Sequence, residues 1–189
     1  MTDLLALFHT GLAEFGARAH RVTDDQWASP TPCSEWDVAT LVDHVVDEHL
    51  WLPPLMSGHN LDAAGKIVES EKHNLAASRA DAWDAAALAS GRAVDEPGAL
   101  DREVALSRGP SPATDYIGEM IFDLTLHGWD LGRAIGIRDP LPDELVQFAL
   151  PIAESFSGSP SSYFAPPVDP PADATAEERL VAVTGRQPR

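Results

Sequence analysis

The chain of 189 residues carries 13 lysines and arginines against 30 aspartates and glutamates, a formal charge of −17, with 44% apolar and 23% charged residues. The length suits one domain with a modest tail, the composition is that of a globular rather than a disordered or membrane chain, and the negative field disfavours nucleic acid and anionic lipid as partners. Cys33 is the single cysteine, which excludes an internal disulfide and a four-cysteine zinc site; no basic n-region and no run of about 18 apolar residues occurs, so the expected location is the cytoplasm, away from the membrane.

Leu4, Phe8, Leu12, Phe15 and Ala19 recur at three- and four-residue steps, which predicts a helix over 3–20 with Thr2 as its N-cap. The segment from Arg21 to Cys33 contains Thr-Asp-Asp and Ser-Pro-Thr-Pro and reads as a long connector. Ser34-Glu35-Trp36-Asp37 has the form of a capping box opening a second helix, whose stripe is Val38, Leu41, Val42, Val45 and Leu52 and which Pro53-Pro54 should kink or end. A third helix is predicted over 73–90, from alanines with Leu75, Trp83 and Leu88, stopped by Gly91. Pro97, Gly98, Gly109 and Pro110 around Val104 and Leu106 make 96–111 extended or looped, a crossover.

The next helix, from Thr114 to Ile135 with Gly136 as its stop, carries Ile117, Met120, Ile121, Leu124, Leu131 and Ile135 on one side. Phe122, Leu126 and Trp129 add apolar surface elsewhere, so this helix is expected at the centre. A helix over 142–155 follows. Pro160, Pro166, Pro167, Pro170 and Pro171 then mark an extended arm before a short helix over 177–183. The expected fold is all-α, an up-down four-helix bundle over 1–157, with a proline-rich arm and short terminal helix over 158–189 packed on it. The arm, from Gly158 to Pro171, either wraps its own bundle or packs across a neighbour in a homodimer.

Asp123 and His127 lie four residues apart, so a helix projects both from nearly one side, next to its apolar face. An unpaired carboxylate there costs several kcal/mol, which a cation would remove. The same spacing also describes an ordinary helix-face pair, worth about 0.2–0.5 kcal/mol. His44, beside the core stripe of the second helix, is the residue that can add a third ligand. Glu48 and His49 are rivals, read as accessory ligands or as solvated side chains, the latter preferred. His9, His20, His59 and His73 are expected at the surface. Cys33 is read as a packing residue, or else as a thiol whose pKa a helix N-terminus lowers. The tryptophans at 27, 36, 51, 83 and 129 are expected mostly in the core, with one or two lining a pocket.

Three stretches carry a resemblance: Thr31-Pro32-Cys33-Ser34-Glu35-Trp36, Leu41-Val42-Asp43-His44, and Asp123-x-x-x-His127-Gly128-Trp129-Asp130-Leu131-Gly132-Arg133-Ala134. Together with Phe164-Ala165-Pro166-Pro167-Val168 and Leu180-x-x-x-Thr184-Gly185-Arg186, they resemble the actinobacterial branch of the DinB/YfiT-like metalloenzymes. That branch is similar to the N-terminal domain of mycothiol-dependent maleylpyruvate isomerase. The resemblance implies a four-helix bundle holding one divalent ion, here on His44, Asp123 and His127. In the isomerase the middle ligand is Glu, and Asp123 is one methylene shorter. The isomerase's larger C-terminal domain is not expected here, so its particular reaction is not transferred.

Three protein ligands with one position open describe a catalytic zinc site, and two imidazoles with a carboxylate also suit nickel or iron. By resemblance the expected activity is thiol-dependent transfer, isomerisation or hydrolysis of a small electrophilic substrate, with mycothiol as the thiol. The alternatives are an ion that only locks two helices together, and a bundle that binds a small ligand without catalysis.

Overall fold

The computed structural model describes residues 3–74, 78–156 and 164–189. Thr2, Leu75, Gly158 and Pro160, named above, lie outside the described residues. Among the described residues seven helices and one hairpin follow in order: α1 (Leu4–Ala19), α2 (Val38–Met56), α3 (Leu61–His73), α4 (Arg79–Val94), β1 (Glu103–Leu106), β2 (Gly109–Pro112), α5 (Ala113–Ala134), α6 (Asp143–Phe156) and α7 (Ala176–Val183). A single 3-10 turn, Ala99–Asp101, precedes the hairpin. No helix among these is long and apolar enough to cross a membrane.

The four longer helices of the bundle are α1, α2, α4 and α5. Both α1 and α2 pack against α4 and α5, which places α1 diagonally from α2 and α4 diagonally from α5. Short loops join adjacent helices, so two diagonal steps need two long connections. Residues 20–37 make the first. Residues 95–112 make the second, which folds as an antiparallel hairpin pairing Val104 with Ser111 and Leu106 with Gly109. The expected crossover segment is therefore extended, as its alternating pattern implies.

The predicted stripes form the core. Phe8 and Phe15 of α1, Val38, Leu41, Val42, Val45 and Leu52 of α2, and Ile117, Ile121 and Leu131 of α5 are fully buried in one cluster. Helix α5 is two-faced. Its Phe122, Leu126 and Trp129 form a second cluster with Leu141, Val146 and Leu150 and with Leu180 and Val181 of α7. Central helices buried on both sides are apolar nearly all round, and α5 shows this. The described part of the arm returns to the same body, with Phe164 on that cluster and the Val168 N–H donating to the Ala182 carbonyl at 3.0 Å.

Several predicted boundaries are corrected. Asp3 caps α1, its carboxylate accepting from the Ala6 N–H. Ser34 does not open α2. Residues 31–36 instead close a turn, with the Trp36 N–H donating to the Cys33 carbonyl at 2.8 Å and the Thr31 hydroxyl to the Trp36 carbonyl at 2.9 Å. Asp37 becomes the cap, accepting from the Thr40 N–H at 2.8 Å. Helix α2 runs two residues past Pro54 before it ends. Pro53 has no N–H for the His49 carbonyl one turn back, and the Ser90 hydroxyl of α4 donates to that carbonyl instead, at 2.9 Å.

The predicted helix over 73–90 is observed as α4, shifted to Arg79–Val94, and α3, Leu61–His73, was not predicted. His73 ends α3, which buries only Ala64 and Val68 and so shows a weak pattern in sequence. Ser78 caps α4, which passes through Gly91 to Val94. Gly91 is not a stop. A Cβ there would stand 3.2 Å from the His9 ring of α1, so glycine serves close helix approach.

Candidate metal centre

Helices α2 and α5 pack face to face, and their seam carries His44 from one and Asp123 and His127 from the other. One ligand atom from each lies within 4.8 Å of the other two. His127 Nε2 is 3.3 Å and His44 Nε2 3.7 Å from Asp123 Oδ1. Two donors each about 2.0–2.1 Å from a tetrahedral zinc ion stand roughly 3.3 Å apart, so the separations fit a shared cation after small adjustments. The His44 and His127 rings meet edge to face, their centroids 5.1 Å apart.

Asp123 Oδ2 is buried and has no hydrogen-bond partner. A buried carboxylate with one oxygen facing two imidazoles and the other unpartnered is a donor set that a divalent cation satisfies. His44 and Asp123 each keep 28% of their side-chain surface exposed, while His127 keeps 8%. The three donors therefore face a partly open mouth and not a closed cage.

Charge is arranged accordingly. Burial pulls the Asp123 carboxyl upward, but His127 and then His44 outweigh it and hold the group far below the usual carboxylate range. Burial likewise pulls His127 down, and the Asp123 charge and hydrogen bond, joined by Asp130, carry it up to about 9. The pocket attracts positive charge to Asp123.

Behind His127 stands a support that the ligand spacing alone does not reveal. Its Nδ1–H donates to Asp130 Oδ2 at 3.2 Å, which leaves Nε2 facing Asp123. Asp130 is fully buried and receives two bonds from Arg186, Nε to Oδ1 at 2.9 Å and Nη2 to Oδ2 at 2.7 Å. Arg186 also donates to the Thr184 carbonyl. A carboxylate behind a ligating histidine fixes its tautomer and orientation. Both residues lie in the quoted motifs, Asp130 in Gly-Trp-Asp-Leu and Arg186 in Thr-Gly-Arg, and that was the available signal.

Other expected residues fall as follows. Trp36 lines the mouth, its ring 4.6 Å from His44 and 5.4 Å from His127. Trp83 and Trp129 are buried, while Trp27 and Trp51 are half-buried. Glu48 is half-buried with its carboxyl pushed up by burial and then by Asp123, so it adjoins the site.

The preferred solvated reading of His49 is wrong: it is fully buried, stacked near Phe8 and Trp83, with its Nδ1 3.0 Å from Ser90 Oγ. The Ser90 proton is spent on the His49 carbonyl, so His49 Nδ1–H donates to that hydroxyl and Nε2 stays bare. Burial draws its pKa down to about 4. His9, His20, His59 and His73 are exposed. The Cys33 thiol, half-buried, is pushed up by burial against the pull of Arg186, so the lowered-pKa alternative does not hold.

Residues 8–132 match the model of the mycothiol maleylpyruvate isomerase N-terminal domain. Two uncharacterized proteins of Mycobacterium tuberculosis, from strains CDC 1551 / Oshkosh and ATCC 25618 / H37Rv, are each 30% identical over 187 residues, 93% of this chain and 93% of theirs. The crystal structure of the mycothiol-dependent maleylpyruvate isomerase superposes with a TM-score of 0.62 at 18% identity, covering 83% of this chain and 73% of that one. A histidine-to-alanine mutant of that isomerase gives 0.63 at 17% identity, covering 88% and 77%.

Proposed function

Because the chain belongs to the family of the mycothiol maleylpyruvate isomerase N-terminal domain, we propose that it is a cytoplasmic, metal-dependent enzyme that uses mycothiol on a small electrophilic substrate. The observation that carries this reading is the convergence of His44, Asp123 and His127 from two helices on one partly exposed point. In this reading residues 1–157 are the metal-binding bundle, and 158–189 serve it as the arm and terminal helix that bring Arg186 to Asp130.

A zinc ion held by these three side chains would lower the pKa of a thiol bound beside them and so supply a thiolate near neutral pH. Nickel and iron suit the same donors, with zinc the first choice. The chain's own residues do the rest. Asp130 and Arg186 hold His127 in one tautomer and one orientation. Trp36 covers the two imidazoles and limits water at the mouth. Glu48, one helical turn past His44 and without a hydrogen bond among the described residues, is placed to take the proton a thiol gives up.

Metal analysis of the purified protein, followed by thiol-dependent turnover of electrophiles with the zinc-loaded form, tests the reading. One ion per chain and turnover that requires both zinc and mycothiol are expected, with Asp123→Ala losing the ion. Full metal stoichiometry in Asp123→Ala would overturn the ligand assignment, whereas a tightly held ion with no thiol chemistry would leave it a structural one.

A further inference from the structure

On α5, Trp129 follows His127 by two residues, about 200° round the helix, so it stands on the side turned away from the three ligands. There it lines a small, partly enclosed cavity with Arg18 of α1, Gly132 and Arg133 of α5, Asp139, and Glu177 of α7. The cavity measures about 10 Å³, the room of one water-sized atom. Gly132 lets the arginine in, since a Cβ there would stand 3.2 Å from Arg18 Nε.

Donors on this wall outnumber the free acceptors. Trp129 is buried, and its Nε1–H has no acceptor among the described residues. Arg18 is 6% exposed; its Nη1 donates to the Glu14 carbonyl and carboxylate, which leaves its Nε and Nη2 protons uncommitted. Glu177 Oε2 is already used, accepting from the Leu141 N–H at 2.8 Å, and Asp139 lies 3.8 Å from Arg21. Buried donors are nearly always satisfied, so unpaired ones beside a cavity mark where an acceptor binds.

Charge selects the acceptor. Glu14 answers Arg18, and Asp139 answers Arg21. Arg133 lies over the Trp129 ring at 4.9 Å and donates to the Pro188 carbonyl at 3.4 Å, with no carboxylate at ion-pair distance among the described residues. The other arginines without such a partner, Arg92, Arg138 and Arg179, are exposed, whereas Arg133 is half-buried. A water in the cavity would satisfy the indole and leave the Arg133 charge unanswered. An oxyanion does both, with one oxygen inside for Trp129 and Arg18 and another outside for the planar Arg133 fork.

We infer that Trp129, Arg18 and Arg133 form a binding site for a compact oxyanion, a carboxylate or phosphate group that inserts one oxygen into the cavity. The site is separate from the candidate metal centre and needs no ion there.

Titration of the isotope-labelled full chain with sodium phosphate and with sodium acetate, against sodium chloride at equal ionic strength, tests it by NMR. The readout is the Trp129 indole N–H signal, assigned by its loss in Trp129→Phe. A saturable shift with an oxyanion and not with chloride is expected. Its affinity should fall about tenfold in Arg133→Gln and rise about tenfold in Glu177→Gln, which keeps the oxygen for the Leu141 N–H but removes the opposing charge. Saturation at lower phosphate than acetate assigns the site to phosphate groups, and the reverse assigns it to carboxylates. No saturable shift with either ion, as from a cavity that holds water alone, overturns the inference, and so does a shift that chloride reproduces. Where Arg133→Gln disturbs the other indole signals, Glu177→Gln decides, and an affinity no tighter than that of the native chain overturns the proposal.

Discussion

Arg186 reaches the candidate site from the far end of the chain and binds Asp130 with two nitrogens in a place where neither group meets water. Removing one partner of such a buried pair strands the other charge, so Arg186→Leu is expected to cost about 3–5 kcal/mol of stability. Arg186→Lys keeps the charge but cannot reproduce the planar fork. It is expected to fold while binding zinc about 10–100-fold more weakly, because His127 loses its fixed orientation; calorimetric titration of zinc into both proteins checks this. His49 makes a separate prediction about pH. An ordinary imidazole binds its proton near 6.5, but His49 in the fold does so only near 4. Between those values the unfolded chain binds more protons, so His49's contribution is complete above about pH 6.5 and is lost as pH falls toward 4. The loss is on the order of 3 kcal/mol. Thermal melts at pH 7 and pH 5 should differ more for the native chain than for His49→Phe, and equal differences would assign the acid sensitivity elsewhere.

Among the elements, the turn that ends α7 deserves the sharpest substitution. Gly185 sits at φ +82, and a Cβ there would meet the Ala165 carbonyl oxygen at 2.7 Å. Gly185→Ala is therefore expected to cost about 1–3 kcal/mol, and to weaken zinc binding because Arg186 is the next residue. Normal zinc affinity in that variant would uncouple the terminal turn from the site. The elements also show what the residue pattern can and cannot reveal. Helix α5 was legible nearly to its ends, since its two apolar faces and Gly136 are local signals. That His44, Asp123 and His127 come together was legible through helical spacing and family motifs. The start of α2 was not, because Ser34 and Asp37 both offer capping chemistry and only the long-range turn around Thr31 and Trp36 selects Asp37. Helix α3 escaped because it buries two small side chains. His49 escaped because its burial depends on Phe8, Trp83 and Ser90, which come from two other helices.

Taken whole, the molecule keeps its candidate site apart from the clusters that hold it folded. The apolar clusters on either side of α5 include none of His44, Asp123 and His127, so the chelated protein is expected to remain helical and to melt cooperatively. Binding still stabilises by mass action. Zinc at about 100 times its Kd adds about 2.7 kcal/mol, which in a chain of this size raises Tm by roughly 5–10 °C. Unfolding on chelation would instead identify a structural ion. The central claim is that one divalent cation sits between α2 and α5 on His44, Asp123 and His127. It is tested most directly by anomalous diffraction at the zinc edge from crystals of the zinc-loaded protein. A single strong peak bonded to both imidazoles and the Asp123 carboxylate is predicted; the account is contradicted by no peak there, or by a peak on other side chains.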